Sequence, residues 1–179
     1  MSFPQKDIDR KLVVGVLYQK ECHVQKKMIF EQCEAAFGHI EEQTDDFSFH
    51  HTAYYEEEMG PQLMRFWLAF ENLHHVEDFV KVKHAAYEIE NIWVEKGKRL
   101  VNVDPGFLSL HNFILLSFKD FSHRIPLGQG VYADLTLIFK GSNAFEKLPW
   151  TYADYQSDEF MGFLSKTRDN YKRQLRSEK

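Results

Sequence analysis

The sequence predicts an α+β protein: a single domain over residues 1–179, with a ferredoxin-like βαββαβ core extended by a C-terminal hairpin and helix. Two observations predict it. Apolar residues recur first at strand spacing and then at helix spacing, in the order strand, helix, strand, strand, helix, strand. No repeat, low-complexity stretch or linker rich in Pro, Gly or Ser divides the chain, whose 179 residues suit one full core.

Each element has its own signal. Residues 11–18, KLVVGVLY, are a β-branched apolar run and predict a buried strand. Residues 21–37 place Met28, Ile29, Cys33, Ala36 and Phe37 at helical spacing, closed by Gly38. Residues 47–55 alternate Phe47, Phe49 and His51 against Ser48 and His50, a strand pattern. Gly60-Pro61 marks a turn. Residues 64–70 alternate Met64, Phe66, Leu68 and Phe70 with Arg65, Trp67 and Ala69; this predicts a strand, with a helix as the alternative. Residues 76–96 predict a helix through Phe79, Val82, Ala86, Ile89 and Trp93, stopped at Gly97. A strand at 99–103 follows, and Asp104-Pro105-Gly106 has the residue order of a type II turn. Residues 111–118 are apolar and of undetermined type. Residues 121–126 and 131–139 predict two strands joined at 127–130. A final amphipathic helix at 158–175 runs through Phe160, Leu164, Tyr171 and Leu175.

Composition excludes some functions. The net charge of −5 argues against dedicated duplex-DNA binding by charge neutralisation. No apolar run approaches the ~20 residues of a membrane span, and the start, MSFPQKDIDRK, is too polar for a secretory signal. Cys22 and Cys33, if on one helix, stand roughly 16 Å apart along its axis, too far for a disulfide. A reduced, cytoplasmic protein is the expectation. Oligomeric state stays open.

The strings VNVDPGFLSL, KDFSHRIPLGQGVYADLTLIF and LPWTYADY, together with KLVVGVLY and YYEEEMG, resemble an uncharacterised prokaryotic domain-of-unknown-function family of about this length. The resemblance covers nearly the whole chain and brings no established activity. Some relatives carry the label GTP-binding protein, yet this chain has no GxxxxGK[ST] loop to cradle phosphates. The resemblance implies a family and no mechanism.

Residues 99–139 gather the candidate site. In the hairpin, a two-residue turn at Gly128-Gln129 puts His123 opposite Asp134, and a one-residue change puts Arg124 there instead. His123 oriented by Asp134 would be a proton-transfer pair; the bland alternative is a structural cross-strand pair. Lys119 and Arg124 suit an anionic ligand, or else a charged sheet edge. Asn102 and Asp104 share a strand face as auxiliary ligands, with a turn role for Asp104 as the alternative. Tyr132 completes the ligand-binding set.

The nine histidines include the adjacent pairs His50-His51 and His74-His75, with no HExxH or CxxC, so no metal site is predicted; a set assembled in space from His51 and His123 stays open. Residues 148–155 are aromatic and could cap a pocket or pack on the sheet. The last helix carries Lys166, Arg168, Lys172, Arg173, Arg176 and Lys179, which suit either the helix dipole or RNA. The sequence therefore points to an anionic small molecule or nucleotide bound near residues 102–134, with or without catalysis and with no cofactor named. The competing classes are a protein-interaction or regulatory module and an RNA-binding accessory protein.

Overall fold

The computed structural model describes residues 3, 7–20, 24–50, 54–141 and 144–177. Strand β1 (Arg10–Gln19) leads to helix α1 (Lys26–Phe37), short strands β2 (Ile40–Gln43) and β3 (Phe47–Ser48), and helix α2 (Tyr54–Met59). The long strand β4 (Leu63–His74) is followed by helix α3 (Phe79–Asn91) and a small hairpin of β5 (Val94–Glu95) and β6 (Lys98–Arg99). Strands β7 (Val101–Leu108), β8 (Asn112–Ser117), β9 (Arg124–Gly128), β10 (Val131–Lys140) and β11 (Ala144–Lys147) precede the final helix α4 (Asp158–Ser177). The fold class is α+β, as the periodicities predict.

One antiparallel sheet runs in the order β11-β10-β8-β7-β1-β4-β2, with β3 also paired to β4 and β9 to β10. Side chains alternate across it. Val14 and Val16 of β1, Phe66 and Leu68 of β4, and Val103 of β7 pack under α1 and α3. Val13, Trp67, Leu108 and Phe113 face the other way, against Phe160, Phe163 and Leu164 of α4. The β1 run KLVVGVLY is buried on both sides because helices cover both faces.

The sheet splits in its middle. β7 keeps its ladder with β1 over eight pairs, but its ladder with β8 stops after Gly106↔Leu115, Phe107↔Ile114 and Leu108↔Phe113. β8 continues along β10 as far as Ser117. From Pro105 back to Val101, β7 has no strand on that side among the described residues. The Val103 N–H points into the gap and donates to Glu90 Oε1 of α3 at 2.7 Å. By the two-residue alternation of the strand, the nitrogen of Pro105 faces the same gap. Proline has no N–H to offer a ladder, so it sits where the ladder has ended.

Several expectations are corrected. Asp104-Pro105-Gly106 is strand, not turn. The strand expected at 47–55 is only Phe47–Ser48, and α2 begins at Tyr54. The helix expected to 96 ends at Asn91, and Gly97 (φ 77°) with Lys96 (φ 50°) turns the β5–β6 hairpin instead of stopping a helix. Cys22, His51 and the expected helix start at 21–23 lie outside the described residues. Cys33 is buried on α1, and burial pushes its thiol up to about 12.

Gly106 holds β7 and β8 together at their last contact. A Cβ there would lie 2.5 Å from Cζ of Phe113 and 2.9 Å from the Ile114 carbonyl oxygen. Backbone cannot yield as a side-chain tip can. Gly106→Ala should cost about 1–3 kcal/mol of overpacking strain, read as a lower urea midpoint at unchanged slope; an unaffected midpoint would mean that β8 is free to shift.

Candidate ligand cleft

The split opens into a cleft of about 520 Å³. Its walls come from both faces of the sheet. Register fixes one of them: Arg65 pairs with Leu17, which pairs with Asn102, and Asn102, Asp104 and Gly106 share a face by alternation. Gly106 pairs with Leu115, Leu115 with Asp134, and Asp134 with Arg124. One stripe across the sheet therefore carries Arg65, Asn102, Asp104, Asp134 and Arg124. From the opposite face, α3 sends Lys83 and Glu90 to the gap. Tyr55 of α2 and the segment bearing Tyr152, Asp154 and Tyr155 close the sides.

Most charges in the cleft are already matched. Arg65, 4% exposed, meets Asp154 at 2.8 Å and Asp104 at 3.4 Å, and donates to the Tyr155 hydroxyl at 2.9 Å. Burial would strip its charge, but Tyr155, Asp154 and Asp104 more than offset this and hold it cationic. Gly15 makes this possible, since a Cβ there would lie 2.5 Å from the Tyr155 hydroxyl. Arg99 contacts Glu58 at 2.8 Å and Glu90 at 3.1 Å.

Arg124 is similarly committed. Nε donates to Asp134 at 2.9 Å, Nη1 to Ser117 Oγ at 3.1 Å and the Lys119 carbonyl at 2.9 Å, and Nη2 to the Tyr152 hydroxyl at 2.6 Å. Four of its five N–H groups are thereby spent.

Two groups facing the cleft have incomplete sets of partners, although Lys83 interacts electrostatically with Glu90 and Asp104 pairs with Arg65. Lys83 is 6% exposed and lines the cleft. Among the described residues no hydrogen bond or ion pair reaches its ammonium; the Phe118 ring lies 5.3 Å away. Asp104 receives Arg65 and Asn102 on Oδ2, and Oδ1 has no partner among the described residues. Asp104 sits at the electrostatic centre. It acts on Tyr55, Arg65, Glu90, Arg99, Tyr152 and Tyr155 alike. Burial raises all three tyrosines, so each keeps its proton at neutral pH.

Of the residues singled out in the sequence, Asn102, Asp104, Lys119, Arg124 and Asp134 line the cleft. The hairpin turns through Gln129 (φ 49°) and Gly130 (φ 75°), which sets Arg124 opposite Asp134. His123 still reaches Asp134, with Nε2 at 3.2 Å from Oδ2, and stacks on Trp150 at 4.7 Å. It lies behind Asp134, outside the wall. Tyr132, paired with Ser117 and Pro126, is likewise not a wall residue. Among the described residues no three His, Cys, Asp or Glu side chains cluster closely enough to hold a metal ion.

Sequence reasoning missed Arg65, Lys83, Glu90, Arg99 and Tyr55, while Tyr152 and Tyr155 belong to the 148–155 segment read as a pocket cap or sheet packing. A signal existed for three of the missed residues. Arg65 is the one charge inside the apolar run LMRFWLAF, and Lys83 and Glu90 stand seven residues apart, on the buried stripe of α3.

Glu90 has a raised pKa, chiefly from burial, with Lys83, the Val103 N–H and Arg99 opposing. The folded state therefore holds its proton more tightly than the unfolded chain does. Its contribution is full below the unfolded carboxyl pKa and falls as pH rises through the folded value. The stability of wild type minus that of Glu90→Gln, measured by urea unfolding from about pH 4 to 8, should shrink as pH rises. A difference that grows with pH would give Glu90 the opposite, depressed behaviour.

No curated protein and no solved structure matches the chain. Residues 8–171, a span containing every residue of the cleft wall, match the family described as Domain of unknown function (DUF4416), and the chain belongs to that family.

Proposed function

We propose that this protein binds an anionic small molecule in the split-sheet cleft, with Lys83 as the ligand's counter-ion. The observation that carries the reading is Lys83: the residue is 6% exposed and lines a cleft of about 520 Å³, and among the described residues no hydrogen bond or ion pair reaches its ammonium, which only Glu90 balances from farther off, while Arg65, Arg99 and Arg124 are each in close ion pairs. A nearly buried charge balanced only from a distance is costly. An anion arriving from solvent removes that cost, and the cleft has the size of ordinary small-molecule sites.

Lys119 and Asn102 contribute as rim and wall, and Arg124 acts mainly as a strut tying Ser117, Lys119 and Tyr152 to Asp134. If the bound molecule is turned over, the proposed proton-transfer unit is His123 acting through Asp134. The framework is proposed to be a ferredoxin-like core, supported by the order β7-β1-β4-β2 and by α1 and α3 packing on one face. A cytoplasmic setting is supported by the free thiol of Cys33.

A protein-interaction module is the second reading. Phe121 and Ile125, 63% and 65% exposed near β9, favour it. RNA binding by α4 has less support, because Arg168 is buried over the Phe139 ring and Lys166 and Lys172 pair with Glu42 and Asp169.

Lys83→Met separates the readings. It removes a charge that has no close ion pair while keeping the apolar stem. The variant without ligand should be more stable by about 1 kcal/mol, seen as a melting temperature roughly 2–4 °C higher. Millimolar inorganic phosphate and succinate should raise the melting temperature of wild type and leave Lys83→Met unmoved. Equal responses in the two proteins would remove Lys83 from any site and leave the interaction module ahead.

A further inference from the structure

We infer that the ligand is a hydroxylated compound with one anionic group: a single phosphate or carboxylate on a sugar-like body, seated on Lys83 with its hydroxyls toward Asp104. This rests on the anionic-ligand reading and names its chemical class.

The first argument is charge. Five cations and four carboxylates line the cleft, counting Arg65, Lys83, Arg99, Lys119 and Arg124 against Glu90, Asp104, Asp134 and Asp154. The three arginines are in ion pairs with those carboxylates. With Glu58, the nearer partner of Arg99, the charges balance, so the cleft suits a ligand of low charge. A triphosphate would bring three or four and would meet Asp104 and Asp154 with few cations to spare.

The second argument is the open acceptor of opposite sign, Asp104 Oδ1. A bare dianion such as succinate satisfies Lys83 but offers nothing to Asp104 Oδ1, a carboxylate oxygen that needs a donor. A ligand carrying hydroxyls supplies one.

The third argument is the tyrosines. The hydroxyls of Tyr152 and Tyr155 accept N–H groups from Arg124 and Arg65. Each hydroxyl keeps its own proton. With the acceptor side occupied by an arginine, the O–H remains to donate to a ligand oxygen. Neutral hydroxyls, a carboxylate acceptor, the Asn102 amide and aromatic faces are the complement of a polyol whose C–H face is apolar and whose edge both donates and accepts.

The test is a calorimetric titration of the full chain with ribose 5-phosphate, gluconate, 2-deoxyribose 5-phosphate, inorganic phosphate and magnesium-free ATP. Ribose 5-phosphate or gluconate should bind at least tenfold tighter than inorganic phosphate, and the deoxy analogue should fall below ribose 5-phosphate. Asp104→Asn should bring the hydroxylated probe down to the level of inorganic phosphate and leave phosphate itself within twofold. Lys83→Met should abolish both. If Asp104→Asn does not fold, the series on wild type decides alone. Inorganic phosphate binding as tightly as the hydroxylated probes, or ATP binding tightest, overturns the inference and leaves the anionic-ligand reading standing. No binding by any of the five overturns both.

Discussion

The molecule depends on one orphaned backbone group. When β8 leaves β7 at Pro105, the Val103 N–H is stranded inside the protein, and an unpaired buried amide costs ~1–3 kcal/mol. Glu90 answers it from α3. That choice propagates. A carboxylate now sits under the sheet, so Arg99 must come in to balance it, and Arg99 in turn holds Glu58 at the end of α2. The packing stripe of α3, apolar at Phe79, Val82, Ala86 and Ile89, therefore has polar members where it meets the gap. The cleft is a consequence of the sheet failing to close.

Charge matching then decides what the cleft is for. Exposed pairs such as Lys27–Glu31 contribute little, because water screens them. The ion pairs around Arg65 and Arg124 are buried, and removing one partner from such a pair is severe, on the order of 3–5 kcal/mol. They act as struts, and a strut cannot also be a ligand hand. Against total stabilities of ~5–15 kcal/mol, a Lys83 with no close ion pair is a notable cost in a structure that places each neighbouring arginine in one. Lys11, more deeply buried, shows how the same chain treats a structural lysine: it reaches Glu41, Gln174 and the Glu71 carbonyl together.

Much of the frame was legible because long elements declare their period. β1, β4, α3, β10 and α4 all have patterns that one face of packing explains. The Asp134 partnership was legible too, since a short hairpin loop allows few registers and each delivers a basic residue. The Asp-Pro-Gly signal misled for a physical reason. Proline avoids ladders, and a turn is the commonest place without one, but the free edge of an internal split is another. That edge exists only through Glu90, thirteen residues before Val103, so no local pattern reveals it. Arg124 looked like an anion hand from its sequence neighbours alone. Ser117 and Tyr152, which consume its donors, come from a different strand and from the segment before α4.

The same split links binding to folding. Lys83 belongs to the helix layer on one side of the sheet and Asp104 to the strand face on the other, and between them β7 and β8 share no hydrogen bonds. A ligand that touches both groups spans the place where the sheet is open. It supplies across the gap the polar contacts that a continuous ladder would have made. Saturation at a hundredfold over Kd adds about 2.7 kcal/mol to any folded protein that binds only when folded. In the proposed complex that gain would fall on the open seam of the sheet and oppose any local separation of β8 from β7.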